Sequence, residues 1–496
     1  MAINLLPNAI YLDATGSGSQ VYRISSRLIL AVLLGASADV RAHVSESGYV
    51  LLLPTNMYIS SGLIAVAATM VLVSILPATV TSYWSTPIRL PIPRSNTDMN
   101  HTTGFISFTA LLLLLYAGYF GNPDPLRNAL PLFFWTVFWV GLTLVQGVIG
   151  DVWQRINPWA GLHQLFYKTD RPYYQLPESV GVWPAGFLFL CFFTFYLADL
   201  APDNPNRLAT ALTIYSVITI TGLFVFGRQS WLSQCEFFTV FMRLLSLLAP
   251  VGRHREKLCI GYPGWKLLRN KTPSISLGIF CLLTLGSGSF DGINETFWWL
   301  HLNGINPLAY QGRSSTALNN VAGLLAFNLM LIVSFALCVK AGRTLVCRWG
   351  DNAADQKVTF IIQLSCLAMA VLPIAFAYHY AHFLTMLMVN IQYVAQLIIH
   401  PVQIARDYLD PVSIAAAHPH HVSAGFLANH ETVKIIWLSQ CVAVVTGHVL
   451  SAMLTHAIAS TFYSSRRNTV LIQLPIAAFM LMYTYLGLWL LSSARL

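Results

Sequence analysis

Ten runs of apolar residues, each about the length of a bilayer crossing or longer, constrain this chain more than any other feature. They fall at residues 58–83, 104–120, 130–150, 182–200, 208–226, 274–290, 318–340, 359–399, 433–457 and 471–491. Hydrocarbon offers no partner to a backbone N–H or C=O, so such runs must be helices that satisfy their own backbone. The expected fold is therefore all-α, a polytopic transmembrane helical bundle of about ten spans. Composition agrees, with 56% hydrophobic and 9% charged residues, where soluble domains carry about 25% charged. The eighth run is longer than a bilayer needs, and Pro373 is expected to kink it.

Before the first run, Arg23 and Arg27 precede a short apolar stretch, and Val40 and Ala42 supply small residues at the −3 and −1 positions of a cleavage site. Residues 1–42 are thus expected to be a cleaved signal peptide. Residues 43–496 would form a single transmembrane domain with an outer His-rich loop at 400–433. Cleavage would leave His43 as the N-terminal residue, whose amine and imidazole together can grip a metal.

The net charge of +9 would suit nucleic acid in a soluble protein; here its placement sets orientation instead. Beyond residue 42 there are 25 Lys and Arg, of which 19 fall in alternate loops: Arg89 and Arg94; Arg155, Lys168 and Arg171; residues 228–271; residues 340–357; and Arg466 with Arg467. Those loops are expected to face the cytoplasm of a bacterial inner membrane, and the others the periplasm. No nucleic-acid partner is expected; the lipid bilayer is. The eight cysteines form no CxxC pair, which points away from a thiolate metal site or a disulfide framework.

Nine of the fourteen histidines lie between Tyr378 and His456. Ionisable groups on apolar helices are costly and tend to mark function. His379 and His382, at i and i+3, share one helical face near the outer interface. They are the leading metal-ligand candidates, with His43, Asp291 or His448 completing the shell. The competing reading is a pair of interface histidines bonded to backbone or water. Asp291, in a Ser-Phe-Asp-Gly sequence expected to turn at the end of the sixth span, would sit at the same level and could fix a histidine tautomer. His418, His420, His421 and His430 read either as a metal-capturing lid or as a solvated loop. Gln440, Thr446 and His448 fall within the ninth run, and His448 lies deep enough for a metal or proton path.

Several stretches together resemble a family of bacterial integral membrane proteins, the fenitrothion hydrolases. They are residues 43–55 (HVSESGYVLLLPT), 150–159 (GDVWQRINPW), 289–292 (SFDG), 377–383 (AYHYAHF) and 436–448 (IWLSQCVAVVTGH). The likeness covers most of residues 43–496 in matching order. It implies an organophosphorus hydrolase that cleaves aryl triesters such as fenitrothion to a nitrophenol and a dialkyl (thio)phosphate. Such chemistry is served by a divalent metal ion, copper or zinc, that polarises the phosphoryl group and acidifies a water. The catalytic residues expected on this reading are His379, His382 and Asp291, and the metal ligands His43, His379, His382 and His448. No GxSxG element supports a serine hydrolase instead. The alternative function is a copper- or metal-handling membrane protein, or the membrane anchor of a periplasmic metalloenzyme. On either reading a second subunit is a candidate partner.

Overall fold

The computed structural model describes residues 50, 53–75, 83–90, 101–166, 172–254, 257–269, 272–309, 312–351, 358–399 and 425–493. Ten helices among them are long and apolar enough to cross a membrane: α1 (Thr55–Ile75), α2 (Thr103–Phe120), α3 (Ala129–Val148), α4 (Glu178–Ala198), α5 (Pro205–Phe226), α6 (Ile275–Asn294), α7 (Ala317–Trp349), α8 (Phe360–Ile399), α9 (His430–Phe462) and α10 (Arg466–Ser492). The protein is an all-α, multi-pass membrane bundle. The expected signal peptide and His43 lie outside the described residues, as do His400, His418, His420 and His421.

Helix starts are set by side-chain caps. Asn204, Ser274, Thr359 and Asn429 each accept a hydrogen bond from a first-turn N–H of α5, α6, α8 and α9, satisfying donors that would otherwise be orphaned. Pro373 acts as anticipated. Helix α8 breaks into Phe360–Met369 and Leu372–Ile399, because a proline further inside would leave an unpaired carbonyl and clash with the preceding turn. Proline is tolerated in a first turn, where Pro373 now lies. The carbonyl of Ala370, at the break, accepts from Ser451 Oγ of α9 at 2.6 Å.

The second half of α8 is central to the architecture. Three consecutive residues, Phe376, Ala377 and Tyr378, lie against glycines of three different helices. A Cβ on Gly147 of α3 would strike Phe376, one on Gly447 of α9 would come within 2.6 Å of Ala377, and one on Gly292 of α6 would overlap the Tyr378 hydroxyl. Within a membrane, close backbone approach and the van der Waals contact it gives replace the hydrophobic drive to associate. This clamp fixes the direction of the histidines that follow.

The two ends of the bundle differ in chemistry. At one, a three-stranded antiparallel sheet of β1 (Ile88–Arg89), β2 (Val251–His254) and β3 (Lys257–Ile260) runs in the order β1-β3-β2. Arg269 donates to Ser85 O, Arg466 to Ser74 O, and Arg467 pairs with Asp351 at this end. At the other end lie the Asp199–Arg207 pair, Asp291, Glu295 and Arg313. The Arg207 guanidinium holds the Asp199 carboxyl below its usual range. One expectation is corrected here: Asp291 does not sit at a turn. Helix α6 continues through Asn294, and Glu295 caps it. Gly292 is accommodated in the helix because its missing side chain leaves room for Tyr378.

Candidate metal centre

Helix α6 carries a buried polar ladder toward the acidic end. Ser287 Oγ accepts from Asn328 Nδ2 of α7 at 3.1 Å, and the Ser289 and Tyr483 hydroxyls are hydrogen-bonded. One step further, Asp291 Oδ2 lies 3.0 Å from His382 Nε2, with side chains only 3% and 7% exposed. Glu295, one turn beyond Asp291 on the same face, completes a group whose donor atoms all lie within 4.8 Å of one another. A carboxylate pair and an imidazole so placed in an apolar bundle carry a large desolvation cost unless they share a cation or a proton.

The His382 ring is held on two sides. Tyr378 stacks on it at 5.8 Å between centroids with 13° between planes, and Phe383 meets it edge-on at 4.7 Å. Because Tyr378 is itself fixed against Gly292, the α6–α8 contact sets the direction in which the imidazole faces Asp291.

His379 is turned to other work, which corrects the expectation of a shared His379–His382 ion site. Its Nε2 lies 3.1 Å from the Trp139 carbonyl, and its ring meets the Trp139 indole edge-on at 5.3 Å. Trp139 belongs to a π-helical stretch of α3, Leu132–Leu142. Such wider turns disturb the regular backbone ladder and recur at functional sites; here a carbonyl within one receives the imidazole N–H.

His448 is likewise not in the donor group. Its Nδ1 bonds the Val444 carbonyl one turn back at 2.9 Å, and its buried Nε2 has no partner among the described residues. Of the expected ligands His43, His379, His382 and His448, only His382 is in the cluster among the described residues, which do not include His43. Glu295 is the ligand candidate missing from the sequence reading. The signal available for it was the i, i+4 spacing with Asp291, hidden by treating Asp291 as the end of its helix.

One cavity includes part of the site and a second adjoins it. A small one of about 20 Å³ is lined by Asp291, His379, His382 and Tyr378 together with Trp139 and Phe383. A larger vestibule of about 300 Å³ shares Trp139 and Phe383 as walls. Trp135, Tyr196 and Tyr393 also line it, and Asp203 and Arg313 contribute the charges. Arg313 is anchored by donating to the Tyr196 carbonyl at 2.9 Å. The first cavity has space for about one water; the second can take a small organic molecule.

No protein-family model, no curated protein and no solved structure matches the chain. Function is accordingly argued from the geometry of this site.

Proposed function

We propose that the chain is a membrane-embedded, metal-dependent hydrolase of neutral, lipophilic aryl organophosphorus triesters. Asp291, Glu295 and His382 are its metal donors in this reading. The observation that carries it is that trio of donors, two of which line a small cavity that shares Trp139 and Phe383 with an aromatic vestibule. The motif resemblance to the fenitrothion hydrolases supports the same substrate class.

The donor set fits a divalent ion. Ligands bound at about 2.0–2.2 Å around a tetrahedral zinc stand roughly 3.3 Å apart, close to the 3.0 Å between Asp291 Oδ2 and His382 Nε2. Glu295 closes the remaining gap by a change of rotamer. Three protein donors with a free position is the pattern of catalytic rather than structural zinc. Two carboxylates with one imidazole favour zinc or manganese over copper, which prefers more nitrogen or sulfur. Bound there, the ion would supply Lewis acidity toward a phosphoryl or thiophosphoryl group.

The protein's own groups do the rest. Without an ion, Asp291 accepts from His382 Nε2–H and holds the ring in place; that proton would be released when both atoms ligate the ion. Trp139 and Phe383 form a wall against which an aryl group stacks, and they limit water to the small cavity. Hydrolysis forms one P–O bond to water and breaks the P–O bond to the aryloxy group, and the water's proton passes to a carboxylate. Nitrophenolate is stable as an anion, so the leaving group needs no acid. The bias of Lys and Arg toward the opposite end supports a site facing the periplasm from the bacterial inner membrane.

The test is release of nitrophenol from diethyl p-nitrophenyl phosphate by purified full-length protein loaded with zinc or manganese. It is run with and without the native membrane fraction, to supply a second subunit. Turnover is expected with metal and its loss with chelator. Metal retained at one equivalent without turnover in either arm would overturn the hydrolase reading in favour of metal handling.

A further inference from the structure

Away from the metal centre, helix α1 does not pack evenly along its length. At Gly62 it lies so close to α9 and α10 that a Cβ would come within 2.7 Å of Leu488 and 3.0 Å of Val445. Three turns nearer the basic end the helices have parted. A groove of about 240 Å³ opens there, with Met70 and Ser74 of α1, Thr455 of α9, and Gln473, Ala477 and Met480 of α10 among its walls. Its lining is mostly apolar, and it lies on helices long enough to cross the bilayer.

Two features make this more than a gap between helices. The first is charge at its basic end. Arg466 Nε donates to the Ser74 carbonyl at 3.0 Å, tying the last turn of α1 to the first turn of α10. Arg467 is 61% exposed and faces Asp351 at 3.3 Å. Among the described residues, these two guanidiniums stand with one carboxylate, Asp351. They stand in the first turn of α10, where the positive end of the helix dipole adds to them, while the Ser465 hydroxyl at the cap donates to Asp351 Oδ2 at 2.6 Å. The second is an orphaned donor inside the groove. Thr455 is 3% exposed and its hydroxyl has no hydrogen-bond partner among the described residues, which costs free energy unless a ligand supplies an acceptor.

The geometry points to a bound glycerophospholipid with an anionic headgroup. Its phosphate lies at Arg466 and Arg467, one acyl chain fills the groove, and an ester carbonyl accepts from Thr455. The vertical spacing agrees. Thr455 lies seven residues before the end of α9 and Gln473 seven after Arg466, each about 10 Å of helical rise. That places the Thr455 hydroxyl below the charges, on the bilayer side of them. A free anion has no use for the apolar groove, and a neutral lipid has none for the two guanidiniums. The lipid would hold α1 to α9 and α10 where the groove separates them.

Full-length protein exchanged into micelles carrying phosphatidylglycerol or phosphatidylcholine of the same chain composition tests this by native mass spectrometry. One phosphatidylglycerol per chain is expected, retained at least tenfold over phosphatidylcholine. The Arg466→Gln/Arg467→Gln variant is expected to lose the preference, and Ala477→Phe, which fills the groove, to lose the lipid. Where Ala477→Phe does not fold, Thr455→Val replaces it, with several-fold weaker retention expected. Equal retention of the two lipids by the unmodified protein overturns the inference. So does undiminished preference in the double variant, or inorganic phosphate raising the melting temperature as much as phosphatidylglycerol does.

Discussion

Single residues decide what the proposed metal centre can be. Asp291 and His382 are nearly fully buried, whereas Glu295 is more open, so the three should not contribute equally. Replacing Asp291 with Asn keeps the shape but removes a charge and an acceptor for His382. It is expected to lower bound metal and phosphotriester turnover together, by about 10- to 100-fold. Glu295→Gln should cost less. His379→Gln can still donate to the Trp139 carbonyl and should leave metal content within a factor of two. Metal analysis of the three purified variants distinguishes this assignment from the His379–His382 pair the sequence suggested; a loss of metal in His379→Gln equal to that in Asp291→Asn would refute it. His448→Leu offers a separate check. Its Nε2 is buried without a partner among the described residues, so an apolar replacement of similar size is expected to leave the melting temperature unchanged or raise it.

At the scale of elements, the sequence was highly legible along each helix and nearly silent between them. All ten apolar runs became helices long enough to span, with ends displaced by up to nine residues and some starts extended to caps such as Asn204 and Asn429. Helical periodicity placed His379 and His382 on one face of α8. It could not say that α3 would offer one of them a carbonyl from a π turn while α6 offered the other a carboxylate. Gly292 misled for a related reason. Asp-Gly is ordinary turn chemistry, but here the glycine is a packing surface for Tyr378 in an unbroken helix. A pair of substitutions in α6 measures that role. A Cβ at Gly292 would overlap the Tyr378 hydroxyl, whereas one at Gly288 would meet the same ring at an ordinary 3.6 Å. Gly292→Ala is expected to destabilise by about 1–3 kcal/mol through overpacking and to weaken metal binding by displacing Tyr378 from His382. Gly288→Ala should be neutral, or stabilising through better helix propensity. Thermal unfolding in detergent reads the first difference and metal affinity the second; equal behaviour of the two variants would remove Tyr378 from the account.

Across the whole molecule, the separation of basic and acidic ends joins the topology to the chemistry. If the positive-inside bias governs insertion, the metal centre, its vestibule and Arg313 share the outer side, while the lipid groove with Arg466 and Arg467 belongs to the inner leaflet. The two sites then meet different pools of molecules. A lipophilic ester partitions into the bilayer and reaches an outward vestibule, and an anionic phospholipid is concentrated where the arginines stand. Exposed residues at the two ends test the arrangement directly. Cys347 lies near the end of α7 at the basic side, and Ser315 precedes α7 at the acidic side. An impermeant maleimide applied to intact cells with a permeabilised outer membrane is expected to label Ser315→Cys in a Cys347→Ser background. The native Cys347 should react only after the inner membrane is opened. The reverse pattern would put the donor trio on the cytoplasmic side, where a cell's own phosphate esters rather than external lipophilic triesters would be its substrates. It would also move Arg466 and Arg467 to the outer leaflet, so this one measurement bears on both sites.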